Sequence, residues 1–161
     1  MTYSDYAKDT MSFLTGNFTS SVNEMGLKGN TITLKANQEH IHDILHALKV
    51  QQGFNHLSDV TCVDYIDESE FEVIYHLRSH AAKIRCNVKV RIPRESAHIA
   101  TISDIWPGAQ VHERENHELF GIVFKGNPDL SPLFLEDWEE IPPFRKDFDT
   151  REYVKKELGE F

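Results

Sequence analysis

Cysteine is scarce. Two thiols in 161 residues cannot supply the four ligands of an ordinary iron–sulfur cluster, so no such cluster is expected on cysteines alone. Cys62 and Cys86 lie far apart, each inside an apolar strand-like run, where a free thiol serves as a small buried hydrophobe. A disulfide between them is possible but poorly motivated. Long hydrophobic runs are missing as well. No window reaches the ~18 to 20 apolar residues that a membrane span needs, and the opening MTYSDYAKDTMSFL lacks the basic-then-apolar pattern of an export signal. The expectation is a soluble, cytoplasmic chain whose membrane association runs through partner proteins. Basic residues number 17 against 26 acidic, for a formal net charge of −9, and form no run that would neutralise a phosphate backbone. Nucleic acid is not an expected partner.

Catalytic signatures are equally thin. No nucleophile stands at a meaningful spacing from a base, no paired-carboxylate cleft is specified, and Gly121 and Gly126 are too isolated to cradle a phosphate. What is present is ordinary: 40% hydrophobic and 27% charged residues, close to a soluble globular average. A chain of this length fits one domain, burying roughly 70% of the surface its unfolded form exposes. There is no repeat and no low-complexity segment.

The spacing of Tyr6, Ala7, Met11, Phe13 and Leu14 predicts a short helix over about residues 4–15, stopped by Gly16. A hairpin follows, with strands near 22–27 and 31–35 and a turn at Lys28, Gly29 and Asn30. Asn37 is placed to cap a helix whose Ile41, Ile44, Leu45 and Leu48 share one face, leaving His40, His42 and His46 mostly outside the stripe, and Gly53 closes it. Three strands are expected at 56–66, 71–79 and 82–92 as an antiparallel meander. Phe71, Val73, Tyr75 and Leu77, then Ile84, Cys86, Val88, Val90 and Ile92, alternate onto one apolar face. After a run at 99–106, Pro107 and Gly108 break the chain before a helix near 110–120, with Gly121 behind it.

Four of the six prolines fall between 127 and 143 around the acids of EDWEE, which predicts an extended, ordered tail that needs a surface to lie on. The final stretch, 150–158, is charged and helix-compatible. The expected fold is α+β, a mixed or antiparallel sheet with helices packed on one face, plus an extended Pro-rich C-terminal tail. Residues 1–125 form the domain, and 126–161 form the tail that docks on a partner subunit.

Residues 104–148 read DIWPGAQVHERENHELFGIVFKGNPDLSPLFLEDWEEIPPFRKDF. They carry Glu113-Arg114-Glu115, Phe120-Gly121-Ile122, Pro128-Asp129-Leu130, Asp137-Trp138-Glu139 and Arg145-Lys146-Asp147 in that order. Upstream, DVTCVD leads into FEVIYHLRS. This ordered set resembles the respiratory-chain NADH dehydrogenase (complex I) 30 kDa, or C, subunit family, from about Leu57 to Phe148. The family includes related subunits of archaeal F420-type dehydrogenases and membrane-bound hydrogenases. Asn127 stands where the family usually has His, Ser131 where Arg is usual, and IPPF replaces GHPL before the Arg-Lys-Asp triplet.

The resemblance implies a cofactor-free structural subunit in the peripheral arm of an ion-translocating membrane oxidoreductase, on the cytoplasmic side of the membrane. Iron–sulfur clusters, flavin and, in hydrogenase relatives, nickel–iron belong to partner subunits. The expected neighbours are the hydrogenase-large-subunit-like (49 kDa, D) subunit and the iron–sulfur subunits. The donor stays open among NADH, reduced coenzyme F420, ferredoxin and formate chemistry. Candidate interface residues are Glu113, Arg114, Glu115, Asp129, Trp138, Arg145, Lys146 and Asp147.

Adjacent residues of a helix point about 100° apart, so at least one of Glu113, Arg114 and Glu115 turns inward while another faces a partner. An intrahelical Arg114–Glu118 pair on a solvated face is the plain alternative. Trp138 is either a rigid aromatic anchor in a partner pocket or folds back on its own subunit. His112, Glu113 and His117 superficially resemble a zinc-peptidase helix, but that motif needs histidines four apart and these are five apart. The residues alone leave two rivals: a free-standing zinc hydrolase on those three, and a transiently assembling regulatory module.

Overall fold

A computed structural model describes residues 2–159; Met1, Glu160 and Phe161, the outer ends of the expected domain and tail, lie outside the described residues. Helix α1 (Tyr3–Asn17) opens with a capping box, in which Thr2 Oγ1 accepts the Asp5 N–H and the Asp5 carboxylate accepts the Thr2 N–H. It runs through Gly16, against the expected stop there. One glycine in a helix costs only about 1 kcal/mol, and the last turn is closed instead by the Phe18 N–H on the Leu14 carbonyl at 2.8 Å.

Strands β1 (Val22–Lys28) and β2 (Thr31–Ala36) pair antiparallel across a two-residue turn. Gly29 there has φ 60°, the left-handed conformation such turns require. Asn37 does not cap the following helix. Its side chain donates to the Ser20 carbonyl at 3.0 Å and accepts from Asn23 Nδ2 at 2.7 Å, so it pins the hairpin's open end. A 3₁₀ turn, Gln38–His40, leads into α2 (Ile41–Val50), whose Ile41, Ile44, Leu45 and Leu48 are fully buried.

The meander is β3 (His56–Tyr65), β4 (Glu70–Ser79) and β5 (Ile84–Pro93), antiparallel throughout. Strand β5 starts later than expected because Ala82 and Lys83 belong to the turn, where Lys83 has φ 55°. The five-stranded sheet has the order β1-β2-β5-β4-β3, with β2 parallel to β5. It is therefore a mixed sheet. The alternating residues of β4 and β5 all point into the core, where α1 and α2 cover them.

Strand β6 (His98–Ala100), helix α3 (Ala109–Phe120) and strand β7 (Val123–Lys125) form a small parallel crossover unit. Helix α3 lies along β3, and its Phe120 ring meets Phe71 edge-on at 6.1 Å on the core side. The helices thus share one face and the other face is open. Residues 126–149 carry no helix or strand, and α4 (Thr150–Leu158) follows, capped by the Asp149 carboxylate accepting the Arg151 and Glu152 N–H groups.

Candidate partner interface

Two residues one turn apart on α3 grip the tail. Arg114 donates from Nε to the Ser131 carbonyl and from Nη2 to the Pro132 carbonyl, both at 2.9 Å, with Asp129 Oδ2 at 3.4 Å from Nη1. Glu118 accepts the N–H groups of Leu133, Phe134 and Leu135 at 3.2, 3.1 and 2.6 Å. The alternative Arg114–Glu118 pair does not form: each side chain satisfies tail backbone that has no strand or helix of its own to bond with. Asp129 also accepts the Ser131 N–H and hydroxyl. Those two bonds, then the Arg114 charge, hold its carboxyl below the ordinary value. Glu115 is half-buried and makes no ion pair among the described residues.

A second clip sits below. Asp64, 3% exposed, receives Arg94 in a fork at 2.9 and 3.1 Å and the Lys146 N–H at 2.8 Å. Arg94 Nη2 also reaches Asp147 at 2.6 Å. Burial pushes the Asp64 carboxyl up, but the Arg94 bonds, the Lys146 amide and the Arg94 charge outweigh it and hold it low. Lys146 thus works through its backbone while its side chain is exposed. Arg145 lays its guanidinium 5.5 Å from the Phe71 ring centre and 3.6 Å from Asp147. Between the clips, Gly121 ends α3 at φ 80°, and a Cβ there would meet Pro142 Cγ at 3.2 Å. Only glycine lets the tail pass this close.

Glu113 is the residue of the triplet that turns inward. It is 0% exposed and accepts from Ile102 N at 2.8 Å, Thr101 Oγ1 at 2.5 Å and Asn127 Nδ2 at 2.7 Å. Burial raises its carboxyl, and these three bonds only partly oppose it. Glu113 cannot touch a partner; it ties α3 to the segment after β6 and to the root of the tail. His112 Nδ1 faces Asp59 at 3.1 Å and His117 Nδ1 faces the Ile122 carbonyl at 2.8 Å. The three side chains of the zinc-like pattern diverge, and no group of three or more His, Cys, Asp or Glu placed to hold a metal occurs among the described residues.

Trp138 folds onto its own chain. Its ring centre lies 5.5 Å from Phe148 and 5.0 Å from Tyr153 of α4, and Lys156 pairs with Glu140 at 2.5 Å. The tail nonetheless exposes Phe134 at 63%, Phe144 at 58% and Ile141 at 42%. A cleft of ≈ 540 Å³ opens between α3 and the tail, lined by His117, Leu130, Pro132, Leu135, Trp138 and Pro142 among others. Asp64 and Arg94 were not among the residues the sequence singled out, and Glu118 figured there only as the alternative partner of Arg114. An acid in phase with Val60 on the core side of β3 was the available signal for Asp64.

The arrangement has counterparts. The family described as "Respiratory-chain NADH dehydrogenase, 30 Kd subunit" matches residues 34–154. The C subunit of the F(420)H(2) dehydrogenase of Methanosarcina mazei is 33% identical over 150 residues, covering 89% of this chain and 92% of that one. The C subunit of the NADH-quinone oxidoreductase of Moorella thermoacetica is 38% identical over 105 residues, 65% of this chain and 71% of that one. A chain in the structure of the membrane-bound sulfane sulfur reductase, an archaeal respiratory membrane complex, superposes with a TM-score of 0.86 at 29% identity, covering 96% of this chain and 92% of its own length. The match runs from the second strand through the clipped tail, and so the chain belongs to the family of the 30 kDa subunit of the respiratory-chain NADH dehydrogenase.

Proposed function

We propose that this chain is a cofactor-free structural subunit of the peripheral arm of a complex I-like, ion-translocating oxidoreductase, on the cytoplasmic side of the membrane. Its tail docks beside the hydrogenase-large-subunit-like subunit. The observation that carries the reading is the tail itself: twenty-odd residues without regular structure are fixed by Arg114, Glu118, Asp64 and Arg94 while Phe134, Ile141 and Phe144 face outward. Ordering such a segment costs roughly 1 to 2 kcal/mol per residue in backbone entropy, and exposed aromatic groups on it are unfavourable in isolation. A covering partner recovers both. No described helix is long and apolar enough to cross a membrane, and in this reading such a partner carries the attachment.

Gentle detergent extraction of the tagged chain from its own membranes tests this. The expected result is co-purification with a hydrogenase-large-subunit relative and iron–sulfur proteins, with iron and flavin in the preparation and none in the isolated chain. Donor-specific subunits among them identify the donor. A lone protein carrying stoichiometric zinc contradicts the reading.

A further inference from the structure

The open face of the sheet carries a row that holds three cations and no carboxylate. Strand register aligns His56 with Arg78, Arg78 with Arg85, Arg85 with Thr31 and Thr31 with Lys28, one residue from each strand across the whole sheet. At about 4.8 Å between strands the row is about 19 Å long. His56, Arg78, Arg85 and Lys28 are exposed. None of Arg78, Arg85 and Lys28 has a side-chain hydrogen bond or ion pair among the described residues. His80, whose ring lies 5.2 Å from that of His56, extends this end of the face.

The contrast lies on the same face. Lys35 is neutralised by Glu24 at 2.9 Å, Lys89 by Glu72 at 2.9 Å, and Arg91 by Glu68, Glu70 and Glu72 at 2.9, 3.2 and 2.9 Å. Arg78 and Arg85, by comparison, are like charges on directly paired residues, an arrangement that destabilises a sheet unless something outside compensates it. The imbalance is local, in a chain whose net charge is −9.

The neighbouring chemistry narrows the occupant. An open groove of ≈ 440 Å³ runs beside the row, lined in part by Thr31, Asp59, His76, Arg78, Arg85 and Asn87. His76 bridges Thr61 at 3.0 Å and Asn87 at 3.1 Å, so the groove offers neutral donors and acceptors next to the cations. Those suit peptide backbone, and the one carboxylate lining the groove, Asp59, already faces His112 at 3.1 Å. The row has no apolar side chain to insert into a headgroup layer, as a membrane-surface site needs.

We propose that the row His56–Arg78–Arg85–Thr31–Lys28 seats an extended acidic segment of a neighbouring protein subunit, its carboxylates on Arg78, Arg85 and Lys28. About six extended residues span the row, at about 3.3 Å each. The proposal rests on reading the chain as a subunit and adds a second contact, on the sheet face away from the tail.

The test uses the complex purified from membranes bearing the tagged chain with Arg78→Lys and Arg85→Lys, treated with a zero-length carbodiimide that couples amines to touching carboxylates. Cross-links from positions 28, 78 and 85 to Asp or Glu residues clustered in one segment of one neighbour are expected. In the Arg78→Glu, Arg85→Glu variant that neighbour is recovered roughly tenfold less, because like charges now face each other. An intact complex with no cross-link from these positions overturns this proposal alone, whereas a wild-type chain recovered without partners overturns the subunit reading with it. Sedimentation of the purified chain with phosphatidylglycerol vesicles, lost in the charge-reversed variant, assigns the row to a membrane and overturns it as well.

Discussion

Glu113 shows how a residue of a recognition motif acts without being seen from outside. Its carboxyl is raised by burial, so between its unfolded and folded values the folded state binds more protons than the unfolded state, and stability falls as pH rises through that window. The window opens at the ordinary 4.5 and extends upward. Asp64 and Glu72 work in the opposite sense: burial raises them, but their hydrogen-bonded cations win and hold both low. Their contribution is present above the ordinary values and is lost as pH falls through the folded ones. Glu113→Gln keeps an acceptor for the Ile102 N–H and removes the charge. The urea midpoint of the wild type should therefore fall relative to that of the variant as pH rises from about 5 to about 8. A difference that does not change with pH contradicts the assignment.

At the scale of elements, α3 and the tail form one unit held at two points, and the lower clip is the more deeply buried. Arg94→Ala strands the Asp64 carboxylate, 3% exposed, with only the Lys146 amide and no cation. Breaking a buried pair from one side costs about 3 to 5 kcal/mol. The expected outcome is a loss of that order in urea unfolding, together with new proteolytic cuts between residues 136 and 149. Unchanged stability and an uncut tail show that the clip does not hold the segment. The apolar phases of β4 and β5 and the stripe of α2 were legible because burial imposes periods of two and of three to four on the residues themselves. The parallel pairing of β2 with β5 was not, since it joins segments fifty residues apart and leaves no local mark. For the same reason Glu118 passed for one half of an intrahelical pair, when its partners are backbone amides fifteen to seventeen residues away.

Taken whole, the molecule has two unlike faces. The helix side bears the clipped tail with exposed aromatic side chains, while the sheet side bears charge, part of it paired and part open. The family was legible from ordered triplets in the tail and α3. That one residue of Glu113, Arg114 and Glu115 turns inward was legible too, but not which one, nor that Asp147 is engaged within the chain. Exposed apolar groups on a fixed segment define an interface only if something covers them. The most direct measurement compares the tagged wild type with Phe134→Ser, Ile141→Ser in the same detergent purification, alongside thermal unfolding of the isolated chains. The account predicts unchanged unfolding and a loss of roughly tenfold or more in the co-purifying large subunit, as truncating hot spots does. An undiminished complement of partners would contradict it.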